Sequence, residues 1–245
     1  MAGNPHLPAR YLDYLAQHPD YSVRRAIAGQ ASLPATMLNE LVADPSDYVR
    51  RAAAAQSGLT SSMLEALIHD SDHWVRQLAA LNPTLTLAQL KTLAADENKE
   101  VRRAVARNPK TPVALLEQLA KDKEAWVRAA VANQPNTETN VLMELAREES
   151  IDVLGAVAHN PNTPQSCLRM LTQSTVPDVR RGVVMNKNAS RDTLLALLED
   201  PYYFNRLLLA QSSILYPGDK WAMYNDPDPA VRFILFSWFS RQYQQ

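Results

Sequence analysis

Cysteine is nearly absent from these 245 residues. Cys167 stands alone, so no intrachain disulfide can form, and a metal site built on several thiolates of one chain is excluded. That usage fits a reducing compartment. Glycine is scarce, at six residues, and neither common Gly-rich phosphate loop occurs. An excess of one charge is missing too. Twenty-five Lys and Arg against 26 Asp and Glu leave a formal net charge of −1, with no global pull toward nucleic acid or an anionic membrane. Long hydrophobic runs are lacking. The greasiest stretch, Phe233 to Phe239, is broken by Ser237 and is far too short to span a bilayer. The N-terminus, Met-Ala-Gly-Asn-Pro-His, has no basic segment followed by an apolar core, and so does not read as a signal peptide. The five histidines are scattered without a His-Glu-x-x-His pair, and no Gly-x-Ser-x-Gly elbow occurs. The expectation is a cytoplasmic protein with no membrane partner.

What the chain does have is a period. The pair Val-Arg occurs at Val23-Arg24, Val49-Arg50, Val75-Arg76, Val101-Arg102, Val127-Arg128, Val179-Arg180 and Val231-Arg232, always 26 residues or a multiple of 26 apart. Val153-Leu154 and Asn205-Arg206 fill the two remaining slots. Internal repetition of this length is the mark of a solenoid. Each unit holds two helical segments. The first carries leucines three apart, from Leu38/Leu41 through Leu194/Leu197, which places both on one helical face. Its start is marked by Leu-Pro or Thr-Pro, as at Thr111-Pro112 and Thr163-Pro164, which predicts Thr as N-cap and Pro as first helical residue. The second begins at the Val-Arg pair and has apolar residues at Val and three and four positions on, as in Val101/Ala104/Val105. The small residue in the middle, Ala104, Ala130, Ala156 or Gly182, predicts close approach of another backbone. The segment ends at an amide, among them Asn4, Gln56, Asn82, Asn108, Asn160 and Asn186, read as satisfying backbone groups at a turn. Neither segment could hold a helix alone in water, so stability must come from stacking neighbours.

The unit Thr-Pro-x-x-Leu-Leu-x-x-Leu-Ala-x-Asp-x-x-x-x-Val-Arg-x-Ala-Val-Ala-x-Asn-Pro is nearly spelled out from Thr111 to Pro135. It resembles the repeat of the leucine-rich repeat variant family, HEAT-like α-solenoids of bacteria. The resemblance covers essentially the whole chain. It implies an all-α fold: a right-handed α-solenoid of about nine 26-residue repeats, each an α-helix plus a short α- or 3₁₀-helix, without strands. It also implies one solenoid over 1–245, with repeats in register from 4 to about 212 and a divergent C-terminal capping repeat over 213–245. Some family members hold an N-terminal iron–sulfur cluster on a group of cysteines. This chain has no such group, so no cofactor is expected. The family implies no single activity.

The arginine stripe first reads as a phosphate track. An acidic stripe argues otherwise. Pairing each arginine with the acid 20 residues later gives Arg24 with Asp44, Arg50 with Asp70, Arg76 with Asp96, Arg102 with Asp122, Arg128 with Glu148, Arg180 with Asp200 and Arg206 with Asp226. The slot without arginine, Leu154, pairs with the slot without an acid, Ser174. His18, the other acid-less slot, has no preceding arginine to serve. Pairing with the acid six residues earlier fails at Arg24, Leu154 and Arg180. The expectation is an inter-repeat ladder of structural ion pairs, the aspartates also capping the second helix.

Function is then sought in what the period leaves unexplained. The residue after each ladder arginine is Arg25, Arg51, Gln77, Arg103, Ala129, Gly155, Arg181, Leu207 or Phe233, a row read by default as a solvated face. The residue before each Val is Ser22, Tyr48, Trp74, Glu100, Trp126, Asp152, Asp178 or Phe204, with Tyr203 adjacent to the last. Taken singly, each ring reads as packing on a neighbouring repeat. As a group, Tyr48, Trp74, Trp126, Tyr203 and Phe204, with Arg25, Arg51, Arg103 and Arg181, are the candidate partner-binding strip. In the last repeat Lys220 occupies a leucine slot, and Phe233, Ile234, Phe236, Trp238 and Phe239 read as a cap over the final core. The leading expectation is a non-catalytic scaffold for another protein, an adaptor or a toxin antidote. The alternative is a nucleic-acid binder, in the manner of HEAT-like DNA glycosylases that act on alkylated bases.

Overall fold

The computed structural model describes residues 9–242, with side chains from 11 to 241. Asn4 and the Asn4-Pro5 turn lie outside the described residues. The chain divides into two compact units, Met1–Val127 and Arg128–Gln245, each described by itself. Eighteen α-helices and no strand occur among the described residues. The first helices of the repeats are α1 (Ala9–Ala16), α3 (Ala35–Leu41), α5 (Ser61–Ile68), α7 (Leu87–Ala94), α9 (Val113–Leu119), α11 (Thr139–Leu145), α13 (Gln165–Leu171), α15 (Arg191–Leu195) and α17 (Pro217–Trp221). The second helices are α2 (Tyr21–Ala28), α4 (Asp47–Ala54), α6 (His73–Ala80), α8 (Lys99–Arg107), α10 (Ala125–Asn133), α12 (Ile151–His159), α14 (Pro177–Met185), α16 (Tyr203–Gln211) and α18 (Pro229–Gln242). Both helices of a repeat are α. Three-residue hydrogen bonds of the 3₁₀ kind are found at helix ends, as where the N–H groups of Ala43 and Asp44 donate to Glu40 and Leu41.

Within the first unit α2 packs on α4, α4 on α6 and α6 on α8; within the second, α12 packs on α14, α14 on α16 and α16 on α18. The paired leucines Leu64/Leu67 and Leu142/Leu145 are buried, and Val49, Val75, Val101, Val153, Val179 and Val231 are fully enclosed. Each such side chain stabilises the stack by about 1.5–3 kcal/mol, an upper estimate because the unfolded chain is itself partly compact. Asn205 takes a valine slot in α16. It is fully buried, donates to the carbonyl of Pro177 at 3.1 Å, and leaves its own Oδ1 without a partner.

Thr111 and Thr163 do not cap the helices that follow them. Proline itself takes the N-cap position at Pro112 and Pro164. The buried threonine hydroxyls donate backwards, Thr111 to the carbonyl of Val105 at 2.5 Å and Thr163 to that of Val157 at 2.6 Å. Each satisfies a carbonyl at the end of the preceding helix, so the slot accepts either a self-satisfied Thr or an apolar residue such as Leu59 or Leu85. Where the N-cap slot holds Thr60 or Thr86, that hydroxyl does cap, accepting from Met63 or Gln89.

The turn amides reach further than their own turn. Asn108 donates to the carbonyls of Ala80 and Asn82, at 2.7 and 2.9 Å, in the preceding repeat. Asn186 does the same to Ala158 and Asn160. Each amide oxygen then closes its own turn by accepting from the residue two positions on, Lys110 or Asn188.

Close backbone approach is sharpest at Gly182. A Cβ there would stand 2.6 Å from Cβ of Ala158 and 2.9 Å from Nδ1 of His159. Gly155, also helical, has nothing within 4 Å of the same position. Alanine normally stabilises a helix over glycine by about 1 kcal/mol. Gly155→Ala is therefore expected to raise the unfolding midpoint, and Gly182→Ala to lower it, because overpacking by about 1–3 kcal/mol outweighs the helix gain. Thermal unfolding of the two variants side by side checks this; equal shifts of the same sign would refute it.

Candidate functional site

The arginines of the second helices form ion pairs of one repeated geometry. In the first unit, Nε and Nη2 of Arg24 donate to Asp44 at 2.7 and 2.9 Å, and Arg50 meets Asp70, Arg76 meets Asp96 and Arg102 meets Asp122 in the same way. In the second unit Arg128 meets Glu148, Arg180 meets Asp200 and Arg206 meets Asp226. The remaining edge of the fork is also used. Nη1 of Arg50 donates to the carbonyls of Asp44 and Pro45, and Nη1 of Arg76 to those of Asp70 and Ser71. A rung thus joins a carboxylate of the next repeat to a carbonyl six residues back in its own.

The aspartates do not cap the second helix directly. Oδ1 of Asp44 accepts the N–H of Ser46, and Oδ1 of Asp70 that of Asp72, and these acceptor turns lead into the N-cap residues. Both slots without an acid keep this acceptor. Ser174 Oγ accepts from Val176, and His18 Nδ1 from Asp20. Burial pushes Asp44, Asp122, Asp200 and Asp226 upward, but hydrogen bonds from their arginines and from the turn N–H outweigh it and hold each carboxyl below its ordinary range. The hydrogen bond it donates to its carboxylate raises each partner arginine's pKa in turn.

The structure brings together two rows that the sequence reading kept apart. In the first unit the Arg51 guanidinium lies 5.2 Å from the ring centre of Tyr48 and 6.0 Å from that of Trp74, and Arg103 lies 5.3 Å from Trp126. Tyr48 packs on Tyr21 at 5.6 Å. In the second unit Arg181 lies 5.7 Å from the ring of Phe204, beside Tyr202 and Tyr203. Arg25 is exposed, with no ion pair or ring contact among the described residues. Trp74, Trp126 and Phe204 thus each lie beside a guanidinium of the preceding repeat, and Tyr48 beside one of its own helix. A sequence signal for this exists. Arg25, Arg51, Arg103 and Arg181 each have an aromatic 23 residues later, Tyr48, Trp74, Trp126 and Phe204. Gln77, Ala129, Gly155 and Leu207, in the same row, are followed at that distance by Glu100, Asp152, Asp178 and Ala230.

These arginines are also charge-compensated, by acids the sequence reading had not singled out. Arg51 holds Asp72 through two bonds of 2.9 and 2.7 Å and Asp47 at 2.8 Å, Arg103 meets Glu100 at 3.3 Å, and Arg181 meets Asp178. Asp72 additionally caps α6 by accepting from Val75 at 3.0 Å. The result is a set of rigidly backed rings with open outer faces. Trp74 is 46% and Trp126 49% exposed.

The repeat profile described as Leucine rich repeat variant matches residues 100–124. A solved leucine-rich repeat variant with a novel repetitive structural motif is 28% identical, covers 96% of this chain and 88% of its own, and superposes with a TM-score of 0.62. The chain carries a leucine rich repeat variant repeat at 100–124 and shares the fold of that solved variant. A designed armadillo repeat protein also aligns, at 13% identity over 93% of this chain and 97% of its own, but its TM-score of 0.24 carries no argument. No curated protein matches. Family and fold are those of a repeat scaffold. No helix among the described residues is long and apolar enough to cross a membrane. Cys167 is buried in α13.

Proposed function

We propose that this leucine rich repeat variant is a non-catalytic scaffold that binds another protein through the aromatic–arginine row of its first unit. The observation that carries the reading is the half-exposure of Tyr48, Trp74 and Trp126 on second-helix entrances where their inner faces are fixed by Arg51 and Arg103. Rings immobilised before binding lose little entropy on contact, and Trp, Tyr and Arg are the residues most enriched at energetic centres of interfaces. The nucleic-acid alternative is weakened by the same geometry, since Arg51, Arg103 and Arg181 already face Asp72, Glu100 and Asp178.

The test is quantitative capture from an extract of the native host, followed by titration of the recovered protein. Trp74→Ala with Trp126→Ala is expected to weaken that complex by about thirtyfold or more per hot-spot ring while circular dichroism stays unchanged. A folded double variant that binds as tightly as the wild type would sink the proposal. Duplex and single-stranded DNA are expected to show no affinity at low salt; strong binding that falls steeply with added salt would favour the alternative instead.

A further inference from the structure

Every rung of the ion-pair ladder has a receiving carboxylate and a giving arginine, and the last arginine of the Val-Arg series, Arg232, meets only carbonyls among the described residues. Nη1 of Arg232 donates to the carbonyls of Asp226 at 2.5 Å and Pro227 at 3.0 Å, the same anchoring that holds Arg206 to the carbonyl of Asp200. Among the described residues no carboxylate meets Nε or Nη2 of Arg232. In Arg206 those two atoms hold Asp226 at 2.7 and 3.0 Å. Arg232 is thus an oriented fork with its bidentate edge open.

Two exposed rings lie on the same helix. Phe233 and Phe236 project from the same helix, 68% and 66% exposed. They are not part of the cap. Trp238 and Phe239 do that work, Trp238 lying over Lys220 and Phe239 packing on Trp221 at 4.4 Å. Phe233 stands in the row that holds Arg51, Arg103 and Arg181 in other repeats, the row whose side chains reach toward the next repeat.

We propose that this end of the second unit is a docking site for another protein, one that brings an Asp or Glu from the entry turn of a helix onto Arg232 and apolar side chains onto Phe233 and Phe236. The chemistry of the occupant is set by the internal rungs: Arg180 and Arg206 in the same unit each take a carboxylate from such a turn, at 2.6–3.0 Å. A second copy stacked through its first repeat would bring no carboxylate in that slot. The first acid slot of this sequence holds His18, whose Nδ1 is occupied by the N–H of Asp20 at 3.1 Å.

That difference gives the test. His18→Asp restores the carboxylate that the repeat normally carries in this slot and turns a second copy of the full chain into the probe. Analytical ultracentrifugation is expected to show mass rising with concentration for His18→Asp and not for the wild type. Adding Arg232→Leu to His18→Asp should weaken the association on the order of thirtyfold or more. Arg232→Lys, which keeps the charge and loses the fork, should weaken it too. Circular dichroism verifies that each variant is folded. A folded His18→Asp chain that sediments like the wild type overturns the proposal, as does association that survives Arg232→Leu. Wild-type self-association that Arg232→Leu abolishes would make the occupant a second copy and overturn the assignment to another protein.

Discussion

Arg180→Ala is expected to destabilise the fold by about 3–5 kcal/mol, read as a fall in the denaturant midpoint at unchanged slope. The Arg180–Asp200 pair is among the most enclosed of the rungs, with side-chain exposures of 8% and 0%. Every polar atom of it is used: Nε and Nη2 on the carboxylate, Nη1 on the carbonyl of Ser174, and the carboxylate also accepting from Tyr202 and Asn205. Removing the guanidinium leaves a buried carboxylate with only two neutral donors. Asp200→Ala should cost a similar amount, stranding the cation instead. The double variant Arg180→Leu with Asp200→Ser should cost much less than the two single losses added together. It copies the Leu154/Ser174 slot, where the serine keeps the turn-closing acceptor and no charge is buried. A double variant as unstable as the sum of the singles would show that the rung is not the coupled unit described here. The same pairing sets an acid limit. Asp44, Asp122, Asp200 and Asp226 have folded pKa values below the ordinary carboxylate value, so their stabilisation is present above about pH 4 and is lost as pH falls through the lowered values.

Lys220→Leu is expected to act in the other direction and stabilise by about 1–3 kcal/mol. Lys220 sits in the first leucine slot of α17, 1% exposed, with its ammonium 4.1 Å from the centre of the Trp238 ring and no carboxylate partner among the described residues. The neighbouring acid, Asp219, is committed to Arg191 at 2.8 and 2.5 Å. The ring offsets part of the desolvation of the ammonium, by about 2 kcal/mol at most, but a leucine restores the apolar contact of the other repeats without burying a charge. Desolvation lowers the pKa of Lys220. A group whose folded pKa lies below its unfolded value destabilises while protonated, so the wild type should gain stability as pH rises from the lowered value toward about 10.4. Unfolding measured across alkaline pH should show this gain in the wild type and lose it in Lys220→Leu. A variant less stable than the wild type, or one that keeps the same alkaline gain, would refute the account.

Much of the fold was legible in residue order because its largest forces act between side chains of fixed type. The leucine pairs, the valines and the small residues recur every 26 positions, since each repeat must bury the same face against its neighbours. The arginine–acid spacing was readable because both members of a rung are named side chains and disappear together at Leu154 and Ser174. The spacing of 23 that joins Arg51 to Trp74 and Arg103 to Trp126 was equally readable.

The rest involves partners that leave no mark in a sequence. Nη1 of Arg50, Arg180 and Arg206 binds a carbonyl six residues back, whether that residue is Asp44, Ser174 or Asp200. Asn108 and Asn186 bind carbonyls in the preceding repeat, and Thr111 and Thr163 close a helix behind them instead of opening one ahead. Every residue carries the same carbonyl, so such contacts produce no pattern of types. Residue order by itself determined the period, the core and the pairing of charges. Only the tertiary structure decided which atoms those side chains meet and which are left open, as Phe233, Phe236 and the free edge of Arg232 are. Exposure and orientation follow from where neighbouring helices stop covering a surface, and the sequence of one repeat is nearly the same whether or not a neighbour lies over it.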